Sequence, residues 1–177
     1  MRTSKTTHSL LKSRLVWSFY FIAIGIYLFL SNVHVMYAID EEENILIMEQ
    51  VNADTTFSSE YIHSVAKCLI IEKFEVNDNH EMVLMESWNC SFGAGIETKP
   101  PPGATDRLED GFYVIDDINQ VFTDISLHAV PMNEQIIKID GKQWNVSEAP
   151  FVGKNFTISI EKENVLTYWI KKLSSSI

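Results

Sequence analysis

Short strand-like segments separated by turns make up most of this chain after residue 38, and they constrain its fold more than any other feature. In residues 155–160, for example, Phe156, Ile158 and Ile160 alternate with polar residues. Side chains on a strand alternate between its two faces, so this pattern predicts a strand with one buried face. No ten-residue segment of the body has a convincing helical period. About eight such strands predict an all-β fold, either a barrel or a sandwich.

Turn signals separate the predicted strands. Residues 77–80 read as a turn by composition, and Asp140-Gly141 is among the strongest signals for a tight hairpin. Residues 93–103, which include three consecutive prolines, predict a long loop. Residues 164–173 fit either a last strand or a helix, and we favour the strand. The remaining predicted strands cover residues 44–51, 66–76, 81–88, 111–115, 120–130, 134–139, 142–147 and 155–160.

The N-terminus has the layout of a secretory signal peptide. Residues 1–14 hold four basic side chains and no acidic one, residues 15–30 are apolar, and Ala38 is a small residue near the end of the segment. The apolar run is shorter than the roughly 20 residues that span a bilayer. We therefore predict a signal segment over residues 1–38, cleavage before Ile39 and a secreted domain over 39–177. A retained signal anchor is the alternative, and any membrane contact depends on it.

Charge and motifs exclude several classes of function. The net charge is −10, which opposes binding to nucleic acid because phosphate recognition needs a surplus of Lys and Arg. His63, His80 and His128 are isolated in the sequence, and no catalytic or phosphate-binding motif is present. We therefore predict neither an enzyme nor a metal or cofactor site.

Two cysteines flank the predicted turn at residues 77–80. Counting outward from that turn sets Cys68 almost opposite Cys90, so the two can be cross-strand neighbours within the distance that a disulfide needs. We predict a disulfide between them; free or intermolecular thiols are the alternative. The sequence also contains three matches to N-x-[ST], which predict glycosylation at Asn89, Asn145 and Asn155.

Residues 120–130 form the most informative predicted strand. Alternation puts Phe122 and Asp124 on one face, opposite an apolar face that includes Ile125. On the pattern alone, the face with Phe122 and Asp124 is in water. The alternative is a cavity in which an aromatic ring and a carboxylate hold an organic cation.

The run from Gln120 to Asp124, together with several segments before and after it, resembles a known family. This family is the tick salivary lipocalins, whose best-known members bind histamine. The order and approximate spacing of several segments carry the resemblance. The run Gln-Val-Phe-Thr-Asp that ends at Asp124 is the most specific. The resembling segments are residues 43–48, 66–69 with its cysteine, 75–78, 81–88, 117–124 and 142–144.

The resemblance implies a secreted, eight-stranded antiparallel barrel that holds a small amphipathic ligand. In the family's amine binders, the residues matching Phe122 and Asp124 face the cavity, and we extend the lining to Trp144, Tyr113 and Lys142. Lys142 stands where the family has a second acid, so the ligand is either an amine such as histamine or serotonin, or an eicosanoid or fatty acid. The alternatives are a protein-binding inhibitor of host defence on the same scaffold and a membrane-anchored structural ectodomain.

Overall fold

The computed structural model of this chain describes residues 4–90, 99–131 and 133–174, with side chains from Val16 onward. Strands dominate, which confirms the prediction of a mostly β protein. The elements are α1 (Ser4–Leu30), β1 (Asn32–Asp40), β2 (Ile45–Val51), β3 (Thr56–Ile62), β4 (Leu69–Val76), β5 (Met82–Asn89), β6 (Thr105–Glu109), β7 (Phe112–Asp116), β8 (Gln120–Phe122), β9 (Asp124–His128), β10 (Gln135–Ile139), β11 (Lys142–Asn145), β12 (Asn155–Asn164) and α2 (Val165–Ser174).

The described strands form two sheets. The small sheet has the strand order β2-β1-β12-β9. The large sheet has the order β11-β10-β3-β4-β5-β7-β6, and β8 pairs with the first half of β5. Antiparallel pairings join neighbouring strands in both sheets. Within the described residues no closed barrel is seen, so the predicted eight-stranded barrel is replaced by two separate sheets.

The chain divides into two compact units. One consists of Met1–Val33 with Lys162–Ile177, and the other of His34–Glu161. The first unit contains both helices, and the second contains nearly all of both sheets. In the part of the chain that the structure describes, neither helix has an apolar stretch long enough to cross a membrane.

The N-terminal boundary of the sheet differs from the prediction. Strand β1 begins at Asn32, seven residues before the predicted first residue of the domain, Ile39. It is an inner strand of the small sheet, and the four residues Val35 to Ala38 are almost completely buried. A cut after Ala38 would remove them from the core. The β structure therefore begins upstream of Ile39, with β1, and cleavage before Ile39 stays a prediction.

The C-terminal segment is a helix, so the prediction of a strand over residues 164–173 is wrong. Asn164 caps the helix, because its Oδ1 accepts a hydrogen bond from the backbone N–H of Leu166 at 2.8 Å. The apolar residues of the segment also recur at helical spacing, which is the signal that the strand interpretation overlooked. These residues are Leu166, Trp169, Ile170 and Leu173.

The predicted hairpin at Asp140-Gly141 is confirmed. Ile139 pairs with Lys142 across a two-residue turn, and both turn residues have positive φ angles of 46° and 79°. Asp-Gly suits such a turn because both of its residues tolerate this conformation. Two strands were not predicted: β3, whose pattern is largely polar, and β6.

The core lies on the inner face of the large sheet, at one end of its central strands. Phe57 of β3 stacks on Phe74 of β4 with ring centroids 4.6 Å apart, and Phe122 meets Phe74 edge-on at 6.1 Å. Ile137 and Ile139 from β10 are buried beside them. Each such side chain stabilises the fold by roughly 1.5–3 kcal/mol when fully buried. This apolar end therefore supplies much of the stability of the second unit.

Candidate functional site

The structure separates the two residues that were expected to hold a ligand together. Phe122 ends β8 and pairs with Met82 in the large sheet, whereas Asp124 begins β9 and pairs with Ser159 in the small sheet. The chain bends at Thr123 between them, so their side chains do not share one strand face. Phe122 packs against the core, and Asp124 is exposed to solvent. The predicted aromatic–carboxylate pair is therefore not formed.

The other three predicted ligand residues are also in different surroundings. Trp144 packs against the core from β11. Tyr113 is buried on β7, opposite Leu108 and Asn89. Lys142 is exposed, and its Nζ donates to Glu49 Oε2 at 2.6 Å. Among the described residues, none of the five predicted ligand residues lines the cavities of about 490, 420 and 340 Å³ in this domain.

The predicted disulfide is confirmed. Cys68 and Cys90 are bonded, with Cα atoms 6.0 Å apart. They link the start of β4 to the end of β5, at the end of the large sheet that is far from the phenylalanine cluster.

The three predicted glycosylation sites differ in exposure. Asn89 is only 5% exposed, and its Nδ2 donates to Ser87 Oγ at 3.1 Å, so this asparagine is a poor acceptor for a glycan. Asn145 is half-buried and donates to Glu148. Asn155 is exposed, and it donates to Glu41. Of the three, exposure favours Asn155.

Polar side chains occupy the other end of the inner face of the large sheet. Glu72 of β4 is directly opposite Ser59 of β3 and Ser87 of β5. Two residues away along β4, Ile70 lies between Tyr61 of β3 and Asn89 of β5 in the same way. Directly opposed residues in an antiparallel sheet point to the same side. These side chains therefore share the face that carries the apolar core at its other end.

Two cavities adjoin this polar end, and the same three residues, Tyr61, His63 and Glu72, line both of them. One cavity is about 420 Å³, and its wall continues over Ser87 and Asn89 of β5. The other is about 340 Å³ and reaches β9 of the small sheet. Both volumes are in the range of small-molecule sites, which are about 300–1,000 Å³. Tyr61, His63 and Glu72 thus form the junction of a two-part pocket, which we call the Glu72 pocket.

The chemistry of the Glu72 pocket is acidic and hydrogen-bonding. Burial raises the pKa of the Glu72 carboxyl, because the charged form loses solvation. Burial and the nearby charge of Glu72 together raise the pKa of Tyr61 to about 12, so the phenol keeps its proton. Among the described residues that line the two cavities, none is Lys or Arg. A cation bound here would therefore meet no Lys or Arg side chain of the described residues.

Several polar groups in or beside the Glu72 pocket have bonding capacity to spare. Ser59 is only 8% exposed, and its hydroxyl has no hydrogen-bond partner among the described residues. The Glu72 carboxylate is half-buried, and no described residue is hydrogen-bonded or ion-paired to it. Unpartnered buried polar groups destabilise a fold, so they indicate a position where a ligand or water completes the bonding.

His63 is held in one orientation at the junction of the two cavities. Its ring Nδ1 accepts from the backbone N–H groups of Val65 at 3.3 Å and Ala66 at 3.1 Å. An Nδ1 that accepts these bonds carries no proton, so in the neutral ring the proton is on Nε2. The Nε2–H remains available as a donor to a ligand.

A larger cavity, of about 490 Å³, lies on the outer face of the same sheet. Four of its charged side chains are already joined in two ion pairs. Lys138 Nζ is 2.6 Å from Glu60 Oε1, and Lys73 Nζ is 2.8 Å from Glu86 Oε2. Because a ligand would have to compete with these ion pairs, this cavity is the weaker candidate despite its size.

Metal binding has no support within the described residues, where no group of three His, Cys, Asp or Glu side chains could hold an ion.

The Glu72 pocket was not predicted from the sequence, although the pattern of β4 contained a sign of it. Glu72 is in phase with Ile70, Phe74 and Val76, so a carboxylate interrupts the buried set of an otherwise apolar strand. Tyr61 had no comparable signal, because β3 was not recognised as a strand.

Comparison with known proteins corrects the expected family. A family model described as a domain of unknown function, DUF1850, matches residues 57–146, just over half of the chain. This stretch contains most of the segments that resembled tick salivary lipocalins, so the assignment to that family is wrong. No curated protein and no solved structure matched the chain. The chain belongs to the DUF1850 family.

Proposed function

We propose that this domain binds a small amine with an apolar body in the Glu72 pocket, without chemical turnover. The observation that carries the proposal is the junction of the two cavities at Tyr61, His63 and Glu72. Within the described part of the chain, no group is paired with the Glu72 carboxylate and no Lys or Arg lines the two cavities. A buried ion pair needs hydrogen bonds around it to offset desolvation. Ser87, Asn89 and the Nε2–H of His63 supply polar groups for that purpose.

The charge of the pocket also favours one of the two ligand classes that the sequence left open, the amine. An acidic lipid needs a cation in the cavity wall, and Lys142, the residue expected to supply it, is paired with Glu49 outside the Glu72 pocket. An amine needs a carboxylate, and Glu72 supplies one in place of Asp124. The 420 Å³ cavity of the Glu72 pocket also has an apolar wall for the rest of the ligand, formed by Ile70, Leu84 and Ile115.

We also propose that the β domain works outside the cytosol. The Cys68–Cys90 disulfide supports this location, because disulfides persist in oxidising compartments and are rare in the cytosol. Cell fractionation with thiol labelling tests this proposal. Protein recovered from the cytosol with both thiols alkylatable would contradict it.

The binding proposal is tested with three probes of similar size that differ in charge: 2-phenylethylamine, 2-phenylethanol and 3-phenylpropionate. Calorimetry on the full chain should detect the amine and show weaker binding of the alcohol and the acid. Glu72→Gln should weaken amine binding about ten- to a hundredfold, because hydrogen bonds to charged groups contribute roughly 1.5–3 kcal/mol.

The matched control is Glu75→Gln. Glu75 is on the same strand as Glu72 but lines the cavity on the outer face, so its removal should leave amine binding unchanged. Preferential binding of 3-phenylpropionate, or equal losses in the two variants, would contradict the proposal. If none of the probes binds, the domain is better explained as a protein-binding module.

A further inference from the structure

Helix α2 leaves an apolar stripe uncovered. Leu166, Trp169, Ile170 and Leu173 recur at intervals of three and four residues, so they share one side of the helix, and all four are exposed. Leu173 is 78% exposed, whereas Tyr168, on the opposite side of the helix, is only 3% exposed. The buried side is thus already packed, and the α2 stripe faces outward without a protein cover.

The part of helix α1 from Val16 to Leu30 is exposed and almost entirely apolar on all sides. Each of its described side chains, from Val16 to Leu30, is exposed, and Trp17, Phe19, Phe21 and Tyr27 are among the largest. A protein partner covers one face of a helix, whereas lipid chains can surround it. A helix that is apolar all round is buried in a large core or in lipid. The occupant that fits α1 is therefore a bilayer.

Charge identifies the kind of bilayer. The unit that contains both helices, Met1–Val33 with Lys162–Ile177, has seven basic side chains and one acidic one, Glu163. The unit His34–Glu161 also has seven basic side chains but 23 acidic ones. Basic segments next to apolar helices are attracted to anionic lipids, by about 1 kcal/mol for each Lys or Arg near the surface. An acidic unit is repelled by the same surface.

We propose that α2 lies along the surface of an anionic lipid bilayer with its stripe in the acyl boundary, and that the same lipid covers the apolar surface of α1. Trp169 suits such a boundary, because tryptophan has a large apolar ring and a polar N–H and is enriched at membrane–water interfaces. Lys172 lies off the stripe, and its Nζ donates to the hydroxyl of Tyr168 at 2.8 Å. This arrangement is that of an interfacial amphipathic helix.

The test uses an environment-sensitive NBD label on the full chain. Both native cysteines are in the disulfide, so Leu173→Cys introduces a single reactive thiol on the α2 stripe. Thr167→Cys is the matched control, because Thr167 is exposed on the same helix but off the stripe. With vesicles of phosphatidylcholine containing phosphatidylglycerol, the label at 173 should shift to shorter wavelength and gain intensity, whereas the label at 167 should remain water-like.

Each outcome decides the proposal. No shift at 173, or equal shifts at 173 and 167, would overturn the orientation of α2. Equal binding to vesicles of phosphatidylcholine alone would overturn the preference for anionic lipid. A shift without vesicles that grows with protein concentration would identify a second copy of the chain as the occupant.

Leu166→Cys provides a second stripe position if Leu173→Cys fails to fold, and peptide mapping checks that the native disulfide is intact. The amine-binding experiment uses different residues and a different readout. Failure of the lipid test therefore leaves the proposed function standing.

Discussion

The inner face of the large sheet has two ends that are built from the same three strands but held together differently. At one end Phe57 and Phe74 stack in the core. At the other end Ser59 and Glu72 occupy the equivalent paired positions, and the nearest covalent link is the disulfide at Cys68. The apolar end is stabilised by packing. The polar end has fewer apolar contacts on this face, and the disulfide links its two central strands.

This difference teaches how a binding site can be placed on a sheet without disrupting its fold. Buried polar groups without partners destabilise a protein, so a sheet selected for stability alone would have continued its apolar pattern past Phe74. Glu72 and Ser59 break that pattern within the same strands. We attribute the break to ligand binding, and the following experiments are designed to separate the two ends.

The largest effect is expected at the apolar end. Phe74→Ala should lower the free energy of unfolding by about 3–5 kcal/mol, because it removes a ring that contacts both Phe57 and Phe122. Tyr61→Phe at the polar end should change it by less than about 1 kcal/mol, since no described group is hydrogen-bonded to the Tyr61 hydroxyl. Denaturant unfolding measures both. Similar losses in the two variants would mean that the two ends do not differ as described.

The disulfide should have the next largest effect, and the effect should be local. Replacing Cys68 and Cys90 together by Ser should cost about 3 kcal/mol, because the bond closes a loop of 22 residues in the unfolded chain. Hydrogen exchange should show the loss of protection first at Ile70 and Asn89, near the bond, and later at Phe74. A uniform loss of protection along β4 would contradict a separately fastened polar end.

The smallest effect is the pH dependence that Glu72 adds to stability. Its pKa is raised in the folded state above the ordinary 4.5, so the folded protein keeps a proton that the unfolded chain has released. Stability therefore falls as the pH rises from about 4.5 through the folded-state pKa. Glu72→Gln should remove this fall, so the variant should be more stable than the wild type at pH 7, and the difference should vanish below pH 4.

Asp40 provides an internal comparison for that pH profile. Lys154 and Asn44 bond its carboxylate and hold its pKa well below the ordinary aspartate range. Its contribution to stability is therefore complete at neutral pH and is lost as the pH falls below about 4. Unfolding measured from pH 3 to pH 8 on the wild type, Glu72→Gln and Asp40→Asn should show these opposite trends. A flat profile in all three would refute both assignments.

Local signals in the sequence were enough for part of this fold. Asp140-Gly141 predicted a hairpin, and counting from the turn at residues 77–80 predicted the Cys68–Cys90 disulfide, because both depend on residues close in sequence. The break at Thr123 was not predictable from alternation. The pattern is continuous through it, and only pairing with Met82 on one side and Ser159 on the other divides the strand.

The candidate site was harder to predict than the fold. Alternation in β4 could have revealed Glu72 as a carboxylate in the buried phase. It could not reveal that Tyr61 and His63 lie beside it, because β3 has a polar sequence and its position depends on pairing with β4 and β10. Residues 93–98 of the predicted loop lie outside the described part of the chain.

The most direct test of the account is the titration of Glu72 itself. With glutamate labelled at the side-chain carboxyl carbon with ¹³C, the resonance that disappears in Glu72→Gln reports its protonation. We predict that it titrates above pH 4.5 in the free protein and that saturating 2-phenylethylamine moves the midpoint to lower pH, because a bound cation favours the charged carboxylate. An ordinary midpoint in the free protein, or a midpoint that the amine leaves unchanged, would contradict the assignment of Glu72 as the amine-binding group.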